Sequence, residues 1–116
     1  MGQLTSTAAE LGFAATDIGC RLLGKGKPVE AGAFFKAAET ALALIVSQTA
    51  DALAYDKARY LQGLAMVRGK YLGNVAQAKL DIEQAIALQP DDKYLQIVRD
   101  NLARENAEIF KPSAKN

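Results

Sequence analysis

DIEQAIALQPDD, residues 81–92, decides how the rest of the chain is read. Upstream of Pro90, Val75, Ala78, Ile82, Ala85 and Ile86 recur at helical spacing and mark one apolar face. Pro90 steers the residue before it out of the α region, so that helix ends there. Asp91 or Asp92 then offers a side-chain oxygen to the free amides of a new helix. That helix carries Leu95, Val98, Leu102 and Ile109 inward. The stretch is a junction between two helices.

Similar punctuation divides the remainder. Thr7 and Glu10 have the spacing of a capping box, and Leu11, Ala15, Ile18, Leu22 and Leu23 follow at helical intervals. In GKGKP, residues 24–28, Gly24 or Gly26 supplies a left-handed stop and Pro28 suits the first turn of a second helix. Ala31, Phe35, Ala38, Leu42 and Ile45 form that helix's apolar face. Thr49 and Asp51 read as the start of a third helix, with Leu53, Ala54, Ala58, Leu61, Ala65 and Val67, ending in RGKYLGN. Asn74 then reads as the cap of the fourth. Period-two alternation is absent, so the expectation is all-α: about five antiparallel helices joined by short turns. Residues 7–110 form one domain, flanked by a flexible arm, 1–6, and a flexible tail, 111–116.

Composition narrows the chemistry. The chain has 116 residues, no His, no Trp, a formal net charge of +1 and one cysteine, Cys20. Interspersed charges argue against a nucleic-acid surface built on bulk charge. Without His or a second Cys, neither a zinc site of the usual kind nor an imidazole-based triad can be assembled. The expectations are therefore no metal, no cofactor and no catalytic residues. The most apolar run, ALALIV at 41–46, falls far short of the roughly 20 residues a membrane span needs. Glu10 and Asp17 interrupt any leader-like start, and a lone thiol fits a reducing compartment, so a cytoplasmic location is expected. MGQLTS at 1–6 matches the loose myristoylation pattern, but no second membrane signal accompanies it.

The helix pairs resemble tetratricopeptide repeats. Ala78, Ile82, Ala85 and Pro90 stand at the offsets of that family's small, aromatic, small and proline positions, with Ile in place of the aromatic. Gly63 takes the close-contact glycine of the partner helix, three residues further from Ala78 than in the family, which asks for an insertion in the 69–74 turn. An earlier copy has Gly19, Ala31, Phe35 and Ala38, with Ala43 in the proline slot. Small residues at these places let two helix backbones approach while Phe35 fills the gap. The copies lie 47 residues apart where the family has about 34, a period nearer HEAT repeats. A plain helix bundle would also produce such small-residue spacing. Two repeat-like pairs and a capping helix over 91–110 follow from the resemblance.

The resemblance implies a non-catalytic interaction module, an adaptor or scaffold that holds a helical or apolar segment of another protein in a groove. Positions that align put Phe13, Thr16, Cys20 and Leu23 of helix one and Lys57, Tyr60, Leu64 and Arg68 of helix three on that groove. Thr16 and Cys20 stand where a carboxylate clamp has Lys and Asn, so an apolar partner segment is implied instead. Tyr60 and Leu64 read more readily as core than as contact and Cys20 as a buried filler, while Lys57 also reads as a solvated charge and Arg68 as a helix-end cation. The alternative is an accessory subunit of a larger complex or a self-associating bundle, because two repeats bury little where about three are usual. GKGKP is not a phosphate loop: no strand precedes it and the Gly–Lys–Ser/Thr spacing is missing.

Overall fold

The computed structural model describes residues 2–106. All regular structure among them is helical: α1 (Gly2–Gly24), α2 (Pro28–Gln48), α3 (Ala54–Met66) continued by a π-helical segment (Val67–Tyr71), α4 (Val75–Leu88) and α5 (Lys93–Glu105). The fold is all-α. Ile109 and the expected tail lie outside the described residues. The backbone of 2–6 belongs to α1 rather than to an arm, because no helix breaker separates it from the alanine-rich run. Thr7 and Glu10 therefore sit inside a helix already under way and do not form its start.

The first hairpin rests on two glycines. A Cβ on Gly12 would lie 2.8 Å from Leu42 Cγ, and one on Gly19 would lie 2.6 Å from Phe35 Cε1. Gly12 and Gly19 are one heptad apart on α1, as are Phe35 and Leu42 on α2, so two large side chains enter two notches in antiparallel register. Ala31, Phe35, Ala38, Leu42 and Ile45 are buried, which leaves the α2 backbone close against α1. Where the chain turns, Gly26 adopts φ +74°, and the Lys27 N–H reaches Leu22 O at 2.9 Å while the Gly26 N–H reaches Leu23 O at 3.0 Å. This is the Schellman arrangement, and Pro28 follows at the start of α2.

The second hairpin repeats this turn. Gly73 also has φ +74°, and the offset of 47 residues from Gly26 is the one that separates Ala31 from Ala78, Phe35 from Ile82 and Ala38 from Ala85. All six of those side chains are buried. Both hairpin turns are three residues long, 25–27 and 72–74, so the expected insertion in the 69–74 turn is absent. The extra length lies in the helix, which widens into π geometry: the Leu72 N–H bonds Val67 O at 3.0 Å and the Asn74 N–H bonds Arg68 O at 2.7 Å. Gly63 differs from its expected role as well. Its Cα faces Phe13 and Leu42 of the first hairpin, with a notional Cβ 2.7 Å from Phe13 Cε1. Gly69 is the glycine that meets Ala78, at 3.0 Å, and Leu102, at 2.8 Å.

Two smaller corrections concern caps. Thr49 closes α2 instead of opening α3: its hydroxyl donates to Ile45 O at 2.6 Å and the side chain is buried. Asn74 stands at the N-cap of α4 without a side-chain bond. At α5, Asp92 does cap, accepting the Tyr94 N–H at 2.9 Å. Pro90 is exposed in the α4–α5 turn.

Helix α3 belongs to two cores. Tyr60, Leu64 and Val67 join the core of the first hairpin, while Ala58, Leu61 and Ala65 join the one formed with α4 and α5. Phe13 meets Tyr60 and Gly63, and Cys20 meets Tyr71 further along, so α1 and α3 run parallel.

Gly19→Ala tests the notch. Ala favours helix by about 1 kcal/mol over Gly, yet its methyl would strike the Phe35 ring, which is held from behind by Tyr71. We expect a net loss of about 1–3 kcal/mol in urea unfolding, partly recovered when Phe35→Leu is added.

Candidate functional site

The structure gives the groove residues expected from the sequence several different surroundings. Tyr60 and Leu64 are buried at 9% and 2% exposure and belong to the core. Phe13 is half-buried against Tyr60, ring centroids 6.4 Å apart, with the Arg59 guanidinium 5.1 Å over its other side. The Cys20 thiol donates to Tyr71 Oη at 3.2 Å, and Tyr71 stacks on Phe35 at 4.2 Å. Leu23 is exposed at the end of α1. Thr16 donates its hydroxyl back to Gly12 O at 2.9 Å. Where α1 passes α3, Gly63 leaves room for the Phe13 ring.

The two cations of the expected groove are both engaged. Lys57 Nζ pairs with Asp51 at 2.7 Å across the start of α3. Arg68 bridges three helices: Nε donates to Glu39 of α2 and Nη1 donates to Asp81 of α4, each at 2.9 Å. Asp81 is buried and takes a further bond from Gln77 Nε2 at 3.1 Å. Burial by itself would lower the Arg68 pKa, but the bonds and charges of Glu39 and Asp81 outweigh it and raise the pKa. The triad is a strut. Its acids come from different helices, so only the folded chain brings them to the arginine.

The open cleft lies one helix further on, between α3 and α5. Tyr55, Arg59, Gln62 and Met66 form a single stripe of α3 at spacings of four, three and four. Facing them, Tyr94, Ile97 and Asn101 form the stripe of α5 beside its buried face. Two hollows, about 220 and 320 Å³, share Tyr94 as their divider. The cleft stays open because α5 packs mainly on α4 and only lightly on α3. Along α3 it runs about 22 Å, from Tyr55 to Lys70. Tyr55, Tyr94 and Ile97 are each more than half exposed, an unusual density of large apolar surface.

Its electrostatics are lopsided. Among the described residues Arg59, Lys70 and Arg104 make no ion pair with a carboxylate. Arg59 and Lys70 instead lie over the Phe13 and Tyr71 rings, the latter at 5.6 Å. Of the acids, Asp92 is committed to capping α5, and Glu105 stands at the far end. No group of three or more acidic or thiol side chains is placed to hold a metal among the described residues.

The α3 stripe was not visible as a site in the sequence because it is neither apolar nor uniformly charged. The available signal was the pair of adjacent stripes on α5, Leu95–Val98–Leu102 beside Tyr94–Ile97–Asn101, of which only one can face the core.

No protein-family model, no curated protein and no solved structure matches this chain.

Two outcomes follow from the contacts of Arg68 and Tyr71. Replacing Arg68 with Met strands the buried Asp81 and should cost about 3 kcal/mol in chemical denaturation; the double change Arg68→Met with Asp81→Leu should recover much of it. The phenol of Tyr71 is pushed up to about 12 by burial, with the Cys20 hydrogen bond and charge adding to the shift. In the unfolded chain a tyrosine ionises near 10. Folding thus favours the protonated phenol: this contribution is complete below about pH 10 and is lost as pH climbs toward 12. Phenolate absorbance should show a step near pH 12 that Tyr71→Phe removes.

Proposed function

We propose that this chain is a non-catalytic helix-pair interaction module, similar to tetratricopeptide repeats, that holds a segment of another protein in the α3–α5 cleft. The observation that carries the reading is the cleft itself: exposed Tyr55, Tyr94 and Ile97 stand beside three cations that lack carboxylate partners among the described residues. Exposed aromatic side chains lose little conformational freedom on binding and offer large contact areas. Cations flanking them favour an acidic partner and raise its rate of encounter. The segment that fits is short, amphipathic and acidic, docking through apolar residues along a length of about 22 Å, some four helical turns.

The repeat resemblance is supported by the 47-residue offset shared by the turn glycines and by three buried positions in each hairpin. Recognition, not turnover, is the proposed role, since the cleft pairs no nucleophile with a base among the described residues. The Cys20 thiol bonds Tyr71 away from it.

A defined pair of helical peptides provides the test. Each has about 15 residues and the same leucine stripe, one with glutamates and the other with lysines on its polar face. Titrated into the isotopically labelled chain, the acidic peptide should bind with a Kd of about 10–100 µM, weaken with salt, and shift amide signals along Tyr55–Lys70 and Tyr94–Arg104. Arg59→Glu with Lys70→Glu should cut affinity about tenfold or more while circular dichroism stays unchanged. Equal binding of both peptides, or shifts confined to other helices, would refute the reading.

A further inference from the structure

The first hairpin has a flank with no neighbour. Phe13 and Cys20 turn toward α3, and Leu11 and Ile18 stand two residues from them, about 200° round the α1 helix. On α2, Glu39 turns toward Arg68, and Ala41 lies on the opposite side. Ala41 Cβ is also 3.6 Å from the notional Cβ of Gly12, which puts the outward stripes of the two helices side by side. Together they expose Leu11 at 62%, Ile18 at 40%, Phe34 at 37% and Leu44 at 50%. Alanines 37 and 41 lie between the larger groups, and Glu30 and Gln48 bound the α2 stripe at its ends. No charged residue interrupts that stripe between them.

The opposite end of the molecule is finished differently. The outward side of α5 carries Lys93, Gln96 and Asp100, all exposed. Stacked helix pairs need a polar outer face at each terminus to remain dispersed. Here one terminus has it and the other does not.

We infer that the α1–α2 flank is covered by a second copy of this chain, packed hairpin on hairpin about a twofold axis. Charge points to self-association. Between Glu30 and Gln48 the α2 stripe offers no ionic group to select a different partner, and a chain of net charge +1 repels its copy hardly at all. Area agrees. A face two helices wide and about 31 Å long presents about 600 Å² per copy, or about 1,200 Å² in total, at the lower bound for specific interfaces. Its centre is aliphatic and aromatic and its edges polar, the usual anatomy of such a contact. The interface is separate from the α3–α5 cleft, so dimerisation and peptide capture are independent.

Sedimentation velocity of the full chain from about 1 to 200 µM reads the outcome directly. The wild type should pass from monomer to dimer across that range and go no further, since a twofold contact closes on itself. Leu11→Glu and Leu44→Glu should each weaken dimerisation about tenfold or more, and the pair should stay monomeric throughout. Ile97→Glu, in the cleft, should leave the dimer intact. If a glutamate variant loses its helical circular dichroism, the glutamine versions replace it and should weaken association in the same direction. A wild type that stays monomeric at the highest concentration overturns the inference. So does a dimer that survives Leu11→Glu with Leu44→Glu, because the contact then lies elsewhere.

Discussion

The Phe35 ring holds three helices in register. One edge occupies the space that a side chain on Gly19 would need, and its face stacks on Tyr71 at 4.2 Å with only 4° between the planes. Burying a phenylalanine contributes about 2–3 kcal/mol from apolar area alone. Its geometric effect is larger. Close-packed interiors transmit small displacements, so a ring fixed on both sides sets the distance between α1 and α2 and, through Tyr71, the place where the third helix ends. The π segment matters for the same reason. By widening the last turns between Val67 and Tyr71 it directs Tyr71 back over Phe35 and Arg68 sideways between Glu39 and Asp81. An α-helical continuation would rotate one of these side chains away from its partners.

Having two buried flanks makes α3 the centre of the molecule and decides which of its side chains stay exposed. Tyr60, Leu64 and Val67 are taken by the first hairpin, and Ala58, Leu61 and Ala65 by the second. What remains is the narrow stripe Tyr55–Arg59–Gln62–Met66, too polar to be core and too aromatic to be merely a solvated face. Along this stripe Met66 packs partly against the core, while Tyr55 and Arg59 cover apolar ground with their stems or rings and keep their polar ends wet.

Much of the architecture was legible in the sequence, for physical reasons that also mark where legibility stops. Helix faces were readable because Leu42, Ile82 and Leu95 and their neighbours recur at a period that only a helix satisfies. The stops were readable at Gly26, Pro28 and Asp92, where backbone geometry restricts the residue type. The notches were harder. Gly12, Gly63 and Gly69 all sit inside helical patterns, and a glycine there does not announce which neighbour it admits. Spacing matches Gly63 to Ala78, whereas the structure opposes it to Phe13 and puts Gly69 on Ala78. The widened turn explains the mismatch: a π bulge shifts every later residue relative to an α-helical count, and no residue type is unique to it. Thr49 shows a different ambiguity. A hydroxyl satisfies a free amide at a helix start or bonds back to a carbonyl in the last turn, and only the position of the next helix distinguishes the two. Tyr60 and Leu64 show a third ambiguity. Spacing alone puts Tyr60 and Leu64 on one face of α3, but which face a neighbouring helix covers is a tertiary fact.

Stacked hairpins also impose an order on the surfaces that remain. Each interior helix is partly covered by the helices before and after it, and two of the surfaces left free are the flank of the first hairpin and the seam along the last helix. These two surfaces differ in chemistry in the way their positions require. The seam lies along a junction where long side chains from α3 and α5 lean toward each other, which suits an adaptable contact with a charged segment. The flank is the outside of a tightly notched helix pair and carries aliphatic and aromatic groups, Leu11, Ile18, Phe34 and Leu44. A rigid surface of that kind is matched best by another rigid surface of the same curvature. The first hairpin of an identical chain supplies that without further design, because a twofold contact needs one patch to be complementary only to itself.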